Sequence, residues 1–193
     1  MILRNELERI AADSFVYQGL PSLEGRAPAS VLILFSGETL PSSRVLITLR
    51  SSSLGTHSGQ VAFPGGAADP EDEGSATRTA LRECFEEIGV PGEMVEPLGE
   101  LPAFPTITGN FRVVPVLGRM IPRDVEFKLA LEEVVKAEWV DVSALRASRF
   151  LEKRMVQGVE RELPVFLWGE ERMWGLSALI FDLILKRYDR LQL

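Results

Sequence analysis

The chain has 193 residues, of which 46% are hydrophobic, and a formal net charge of −7 at pH 7. This length suits one domain with a full hydrophobic core, and we expect residues 1–193 to form it. The negative charge argues against a nucleic-acid-binding protein of the usual basic type, because such proteins present Lys and Arg to phosphates.

Apolar residues recur along the chain with the spacing of helices and of strands. Three helices are predicted where apolar residues recur at helical spacing. The first is Asn5–Phe15, the second begins after a cap at Ser75 or Thr77 and ends at Gly89, and the third is Met173–Tyr188. Strands are predicted where short apolar or β-branched runs are bounded by turn residues: Ala29–Phe35, Arg44–Leu49, Gln60–Phe63, Glu96–Phe104, Phe111–Ile121, a part of Leu129–Val142, and Leu163–Trp168. Strands with helices on both sides indicate the α/β class.

The predicted central helix carries three glutamates on one side. Glu83, Glu86 and Glu87 are at positions i, i+3 and i+4, so they share one stripe of the helix. The residues expected on the opposite, buried side are Leu81, Cys84, Phe85 and Ile88. Three like charges at this spacing destabilise a helix. A hard divalent cation with oxygen ligands would compensate them, and Arg82 could orient one carboxylate.

A solvent-exposed acidic face is the alternative interpretation of this stripe. The fixed spacing to Gly89, and the Phe63-Pro64-Gly65-Gly66 turn upstream, favour a functional site. The segment Arg82–Val90 resembles the second half of the Nudix box, G-x5-E-x7-R-E-U-x-E-E-x-G-U, where U is a bulky aliphatic or similar residue.

The first half of the box pattern is displaced in this chain. Counted back from the arginine, the expected Glu falls on Gly74 and the expected Gly on Ala68. Gly66 followed by Asp72 or Glu73 restores the chemistry if the loop is longer than in the pattern, so we place the box at 63–90. The resemblance implies a mixed β-sheet sandwiched between α-helices, and a loop–helix–loop that binds Mg²⁺ or Mn²⁺. It also implies hydrolysis of a nucleoside diphosphate linked to another group.

The stretch 46–66 is similar to an additional motif of the coenzyme A pyrophosphatases within the Nudix group. That motif carries an arginine where this chain has Gly55. The substrate-binding candidates in this stretch are Arg50, Ser51, His57 and Gln60. Arg50 could pair with a phosphate, including the 3′-phosphate of coenzyme A. His57 is the only histidine, and a hydrogen-bonded structural role is its alternative.

For an enzyme of the kind that the resemblance implies, we expect water attack on one phosphorus of the diphosphate. We expect Glu83, Glu86 and Glu87 to hold one or more Mg²⁺ ions, with Mn²⁺ as a substitute. Glu83 is the first candidate for the carboxylate that takes the proton and Glu86 the second. Glu132 or Glu133 from a later loop is the alternative. The resemblance implies cleavage of coenzyme A or its derivatives to 4′-phosphopantetheine, or its acyl form, and adenosine 3′,5′-bisphosphate.

Two other functions stay open. A Nudix pyrophosphatase could act on ADP-ribose, dinucleotides or nucleoside triphosphates, and a non-catalytic nucleotide-binding module could keep the same fold. Cys84 is the single cysteine, which excludes an internal disulfide. The sequence contains no run near the roughly 20 apolar residues of a membrane span, and the charged start of the chain is unlike a signal peptide. We therefore expect a cytoplasmic protein with a small-molecule substrate and with neither nucleic acid nor a membrane as partner. The sequence leaves its oligomeric state open.

Overall fold

The computed structural model describes residues 1–52, 59–107, 109–121, 125–156 and 158–193. The helices are α1 (Ile2–Ala12), α2 (Ala76–Ile88), α3 (Val142–Ala147) and α4 (Gly175–Leu191). The strands are β1 (Ala27–Ser36), β2 (Arg44–Arg50), β3 (Val61–Ala62), β4 (Gly65–Ala67), β5 (Val95–Glu100), β6 (Phe104–Pro105), β7 (Phe111–Met120), β8 (Val134–Asp141), β9 (Phe150–Val156), β10 (Val159–Trp168) and β11 (Glu171–Met173).

The larger sheet is mixed and has the order β3-β2-β1-β7-β5, with β4, β6 and β8 paired at its margins. Its centre is a parallel pair, β1 with β7, which runs in register from Ala27 opposite Phe111 to Phe35 opposite Arg119. The other pairings of this sheet are antiparallel, including that of β1 with β4. A separate antiparallel sheet has the order β11-β10-β9.

Successive residues of β1 point into two different hydrophobic cores, as the pleat of a strand requires. Leu32 and Leu34 belong to the core that includes Ala80, Cys84 and other residues of α2. Ile33 and Phe35 belong to the core that includes residues of α1 and α4. The sheet therefore has helices packed on both faces, which confirms the predicted fold class.

Several element boundaries differ from the sequence prediction. Helix α1 begins at Ile2 and ends at Ala12, three residues earlier at each end than Asn5–Phe15. The run Glu96–Phe104 is divided into β5 and β6. The prediction missed β9, whose seven residues include Glu152, Lys153 and Arg154, because both of its faces are largely polar or exposed. Within the described residues, no helix has the length and hydrophobicity needed to cross a bilayer.

The buried side of α2 differs from the predicted one. Phe85, expected inside, is 56% exposed, whereas Glu87, expected on the solvated side, is 1% exposed. Ala80 and Cys84 are buried residues of α2 with small side chains, and the buried Ile88 is the last residue of this helix. Small side chains let the helix approach the sheet closely, which rotates Phe85 outward and Glu87 inward.

Candidate active site

Local signals fix the two ends of helix α2. Its first turn is capped by Ser75, whose hydroxyl accepts a hydrogen bond from the backbone N–H of Arg78 at 3.3 Å. The helix ends at Gly89, which has φ = 74° and so occupies the left-handed region that glycine tolerates. Strand β4 lies against this helix, and a β-carbon placed on Gly66 would be only 2.6 Å from the carboxylate of Glu83. The glycine thus makes room for a glutamate head group beside the sheet.

The carboxylate of Glu87 is held between a backbone amide and an arginine. Gly65 donates its N–H to Oε2 at 3.1 Å, and Arg50 Nη1 lies 3.2 Å from Oε1. Burial raises the pKa of Glu87 to about 7, with Arg50 and Gly65 opposing the shift and the charges of Glu83 and Glu133 adding to it. Near neutral pH the Glu87 carboxyl is therefore only partly ionised. The sequence pattern instead predicts this residue on the solvated side of the helix.

Arg82 ties the other two glutamates of the stripe together. Its Nη1 lies 3.0 Å from Glu83 and 2.8 Å from Glu86, and its Nη2 donates to the backbone oxygen of Ala67 at 3.0 Å. Burial also raises the pKa of Glu83, although Arg82 opposes the shift. The side chain of Glu86 is 55% exposed, so the three carboxylates lie at three depths. The orienting role expected of Arg82 is thus confirmed by its contacts.

Asp72 is the acidic residue of the 71–73 loop that contacts Arg82. Its two oxygens accept hydrogen bonds from Arg82 Nε at 3.1 Å and Nη2 at 3.0 Å, and Thr79 donates to it at 2.9 Å. Asp72 is buried, whereas Glu71 and Glu73 are exposed. A short 3₁₀ turn over Pro70–Asp72 places it there, capped by reciprocal hydrogen bonds with Asp69. Asp72 therefore contacts Arg82 rather than joining the glutamate stripe.

The donor set suits a hard divalent cation. Among the described residues, no group of three or more His, Cys, Asp or Glu side chains converges as a ready metal site. The two arginines account for this, because Arg50 holds Glu87 and Arg82 holds Glu83 and Glu86. The stripe nevertheless offers only carboxylate oxygens, the ligands that Mg²⁺ and Mn²⁺ prefer. Burial, with a smaller contribution from the charges of Glu83 and Glu133, raises the pKa of Glu87, and a bound cation would stabilise its ionised form.

Arg50 is the substrate-binding candidate that contacts this stripe. The Nε atom of Arg50 is buried and has no hydrogen-bond partner among the described residues. Ser51 is buried and its N–H donates to the backbone oxygen of Glu133 at 2.8 Å, which brings Glu133 near the site. The backbone oxygen of Gln60 accepts from the N–H of Arg50 at 3.0 Å. His57 lies outside the described residues.

Two cavities share Arg50 and Gly65, which both contact the carboxylate of Glu87. The larger, of about 570 Å³, runs from Arg50 and Gly65 to the β9–β10 hairpin and the start of α4. The smaller, of about 390 Å³, shares Arg50 and Gly65 and extends along β1 and β7 to Phe111. Sequence reasoning missed the far wall of the larger cavity, where Trp174 lies, because no local pattern connects it to a glutamate stripe 87 positions earlier in the chain. The site therefore has two openings leading away from one cluster of charges.

Comparisons with known proteins agree with this architecture. A family model described as NUDIX domain matches residues 25–161. The protein named uncharacterized Nudix hydrolase NudL from Yersinia enterocolitica is 39% identical over 142 residues, which cover 72% of this chain and 71% of that protein. The protein of the same name from Escherichia coli K12 is 37% identical over 140 residues, covering 72% of this chain and 71% of that protein.

Solved structures are similar in fold. A MutT protein from Methanosarcina mazei superposes with a TM-score of 0.54 at 20% identity, covering 89% of this chain and 99% of that one. A MutT/nudix family protein from Enterococcus faecalis has a TM-score of 0.54 at 17% identity, covering 97% of this chain and 74% of that one.

Proposed function

The chain belongs to the NUDIX family of hydrolases, and on that premise we propose that it hydrolyses the diphosphate bond of coenzyme A and its acyl derivatives. The products would be 4′-phosphopantetheine, or its acyl form, and adenosine 3′,5′-bisphosphate. One observation carries the proposal: Arg50, from the stretch similar to coenzyme A pyrophosphatases, contacts Glu87 of the box at 3.2 Å. The two motifs therefore meet in one site.

The proposal gives the three glutamates the role of metal ligands. Glu83, Glu86 and Glu87 would hold Mg²⁺, for which Mn²⁺ could substitute. When bound, the cation supplies charge neutralisation for the diphosphate oxygens and a lower pKa for a nearby water. Asp72 and Arg82 keep the helix carboxylates in place through the contacts described above. This support is chemical, since carboxylate oxygens crowded on one helix stripe need a counter-charge.

Arg50 is proposed to bind the diphosphate. Its guanidinium is anchored by Glu87 at one nitrogen, while its buried Nε lacks a partner among the described residues. A phosphate oxygen would satisfy that donor, and a planar guanidinium binds phosphate oxygens in pairs. This position favours the diphosphate over the 3′-phosphate, because Glu87 fixes the arginine among the glutamates. Ser51, Gln60 and His57 stay proposed substrate contacts.

Glu83 is proposed as the carboxylate that takes the proton from the attacking water, with Glu86 and Glu133 as the alternatives. Glu83 lies beside Gly66, with its side chain 14% exposed. Its pKa is raised by burial, which makes a carboxylate a better proton acceptor. Glu133 is exposed but close enough for its charge to raise the pKa of both Glu83 and Glu87.

A substrate panel tests the proposal. The kcat/KM is measured for coenzyme A, dephospho-coenzyme A, ADP-ribose and diadenosine polyphosphates, with Mg²⁺ and with EDTA. Coenzyme A should be the best substrate, and EDTA should abolish the activity. Arg50→Ala should slow coenzyme A and dephospho-coenzyme A by the same factor if Arg50 binds the diphosphate. A loss confined to coenzyme A would instead assign it to the 3′-phosphate. A preference for ADP-ribose would refute the substrate assignment.

A further inference from the structure

The larger cavity has a far wall built from the C-terminal part of the chain. We call this cavity the C-terminal cleft and define it by Ile107, Met155, Trp174, Leu176 and Ile180, together with Arg50, which contacts Glu87. Trp174, Leu176 and Ile180 follow residue 161, the last residue that the family model matches. The family's shared region thus supplies the glutamates, and a segment beyond it supplies one side of the cleft.

The lining of this cleft is mainly apolar. Of the described residues that line it, only Arg50 and Arg154 are charged. Arg50 lies at the end shared with the glutamates, against Glu87. The guanidinium of Arg154 lies 4.4 Å from the centre of the Trp174 ring and is paired with Glu152. The far end therefore offers an aromatic surface and one arginine, whose partner Glu152 is also contacted by Arg172.

The floor of the cleft is closely packed. Ile180 is 1% exposed, and Phe63, at 2%, lies with its ring 6.4 Å from that of Phe181. Phe181 also makes an edge-on contact with Phe166 at 5.1 Å. By contrast Trp174 and Met155 are 37% and 66% exposed. Large apolar side chains are thus left uncovered above a preformed apolar floor, which is the usual character of a small-molecule site.

We propose that the C-terminal cleft binds the pantetheine arm of the substrate, the uncharged chain with two amides that ends in a thiol or thioester. The inference rests on the proposed function and deepens it by assigning one end of the substrate. A diphosphate at Arg50 has one group on each side, and two cavities leave Arg50 in different directions. The cleft is the larger of the two cavities and its lining is mainly apolar, which matches the long neutral arm.

Binding of the two reaction products separates the ends of the site. Isothermal titration in Mg²⁺ buffer measures the Kd of 4′-phosphopantetheine and of adenosine 3′,5′-bisphosphate, neither of which contains the diphosphate bond. Trp174→Ala should weaken 4′-phosphopantetheine binding by about tenfold, the scale of one lost aromatic contact. It should change the Kd of adenosine 3′,5′-bisphosphate by less than about twofold, and Trp174→Phe should restore most of the loss.

Phe150 provides the matched control. It is an aromatic residue with 39% exposure that also lies under an arginine, with Arg172 at 5.8 Å, but it does not line the cleft. Phe150→Ala should leave both constants unchanged. If Trp174→Ala weakens the two products equally, or neither, the proposal is overturned.

The same proteins distinguish failure of the cleft from failure of the function. Should the wild type hydrolyse coenzyme A while Trp174→Ala leaves 4′-phosphopantetheine binding intact, the function stands and the cleft assignment is wrong. A wild type that prefers ADP-ribose but binds 4′-phosphopantetheine through Trp174 would support the cleft assignment and refute the substrate proposal. A wild type without measurable 4′-phosphopantetheine binding overturns the cleft assignment whatever the substrate panel shows.

Discussion

The Asp72–Arg82 pair should make the stability of this protein depend on pH in a way that one substitution removes. Arg82 holds the pKa of Asp72 at about 2, below its ordinary value of 3.8. The Asp72 side chain is only 4% exposed, so solvent screens the pair weakly. A difference of this size corresponds to about 2 kcal/mol in the free energy of unfolding, at about 1.4 kcal/mol per pKa unit.

The sign follows from the lowered pKa in the folded state. The folded protein favours ionised Asp72, so this contribution is fully present above about pH 4 and is lost as the pH falls towards about 2. Asp72→Asn abolishes the titration and the ion pair while nearly preserving shape. We expect the variant to be less stable than the wild type by about 2 kcal/mol at pH 7, and the gap to narrow steadily below pH 4.

Urea unfolding of both proteins at pH 7, 5, 4 and 3 measures that gap, and taking the difference cancels the titration of the other carboxyls. Glu73→Gln is the matched control on the same loop. Glu73 pairs with Arg78, but the two side chains are 72% and 58% exposed, so its loss should cost less than about 1 kcal/mol at every pH. A wild-type advantage over Asp72→Asn that stays constant from pH 7 to pH 3 would refute the linkage.

Two further predictions concern the glutamate stripe. Glu87→Gln should reduce kcat by at least about a hundredfold, the scale of a lost electrostatic group, with circular dichroism unchanged; near-normal turnover, or full activity in EDTA, would contradict its role as a metal ligand. Gly66→Ala should displace Glu83, since the new β-carbon would meet its carboxylate at 2.6 Å, and should weaken Mg²⁺ dependence. Gly92→Ala is the control, because its β-carbon would lie 3.9 Å from the nearest atom, Cδ1 of Leu81. Equal Mg²⁺ dependence of the two variants would contradict the predicted displacement of Glu83.

The glutamate stripe could be predicted because its information is local. Three residues at i, i+3 and i+4 share a side of any helix, wherever the helix packs. Which side faces the sheet is not local. A hydrophobicity ranking puts Phe85 inside, but α2 faces the sheet with Ala80 and Cys84, so Phe85 is exposed and Glu87 is buried instead. The wrong prediction concerns Glu87, a carboxyl whose burial raises its pKa. Such exceptions to local sequence rules are expected at functional sites.

The displaced acidic position shows a different limit. Counting back from Arg82 by the spacing of the box pattern leads to Gly74, which has no carboxylate. The residue whose carboxylate contacts Arg82 is Asp72, two positions earlier. The local signal that could have identified Asp72 is its reciprocal cap with Asp69, a start of a helical turn. No such local signal identifies Trp174 as part of the site. Its position in one cavity with Ile107 and Met155 depends on how α4 packs.

The contacts of Arg50 and Arg82 explain how a folded chain can keep these glutamates close together before any substrate arrives. A buried carboxylate without a partner would cost several kcal/mol, and each arginine reduces that cost by direct contact. Because Arg50 contacts Glu87, a cation that binds this carboxylate must compete with Arg50. An incoming diphosphate offers Arg50 a new acceptor, including for its buried Nε. Binding of the diphosphate to Arg50 should therefore free Glu87 for the cation, and binding of the cation to Glu87 should free Arg50 for the diphosphate. We expect each to raise the affinity for the other.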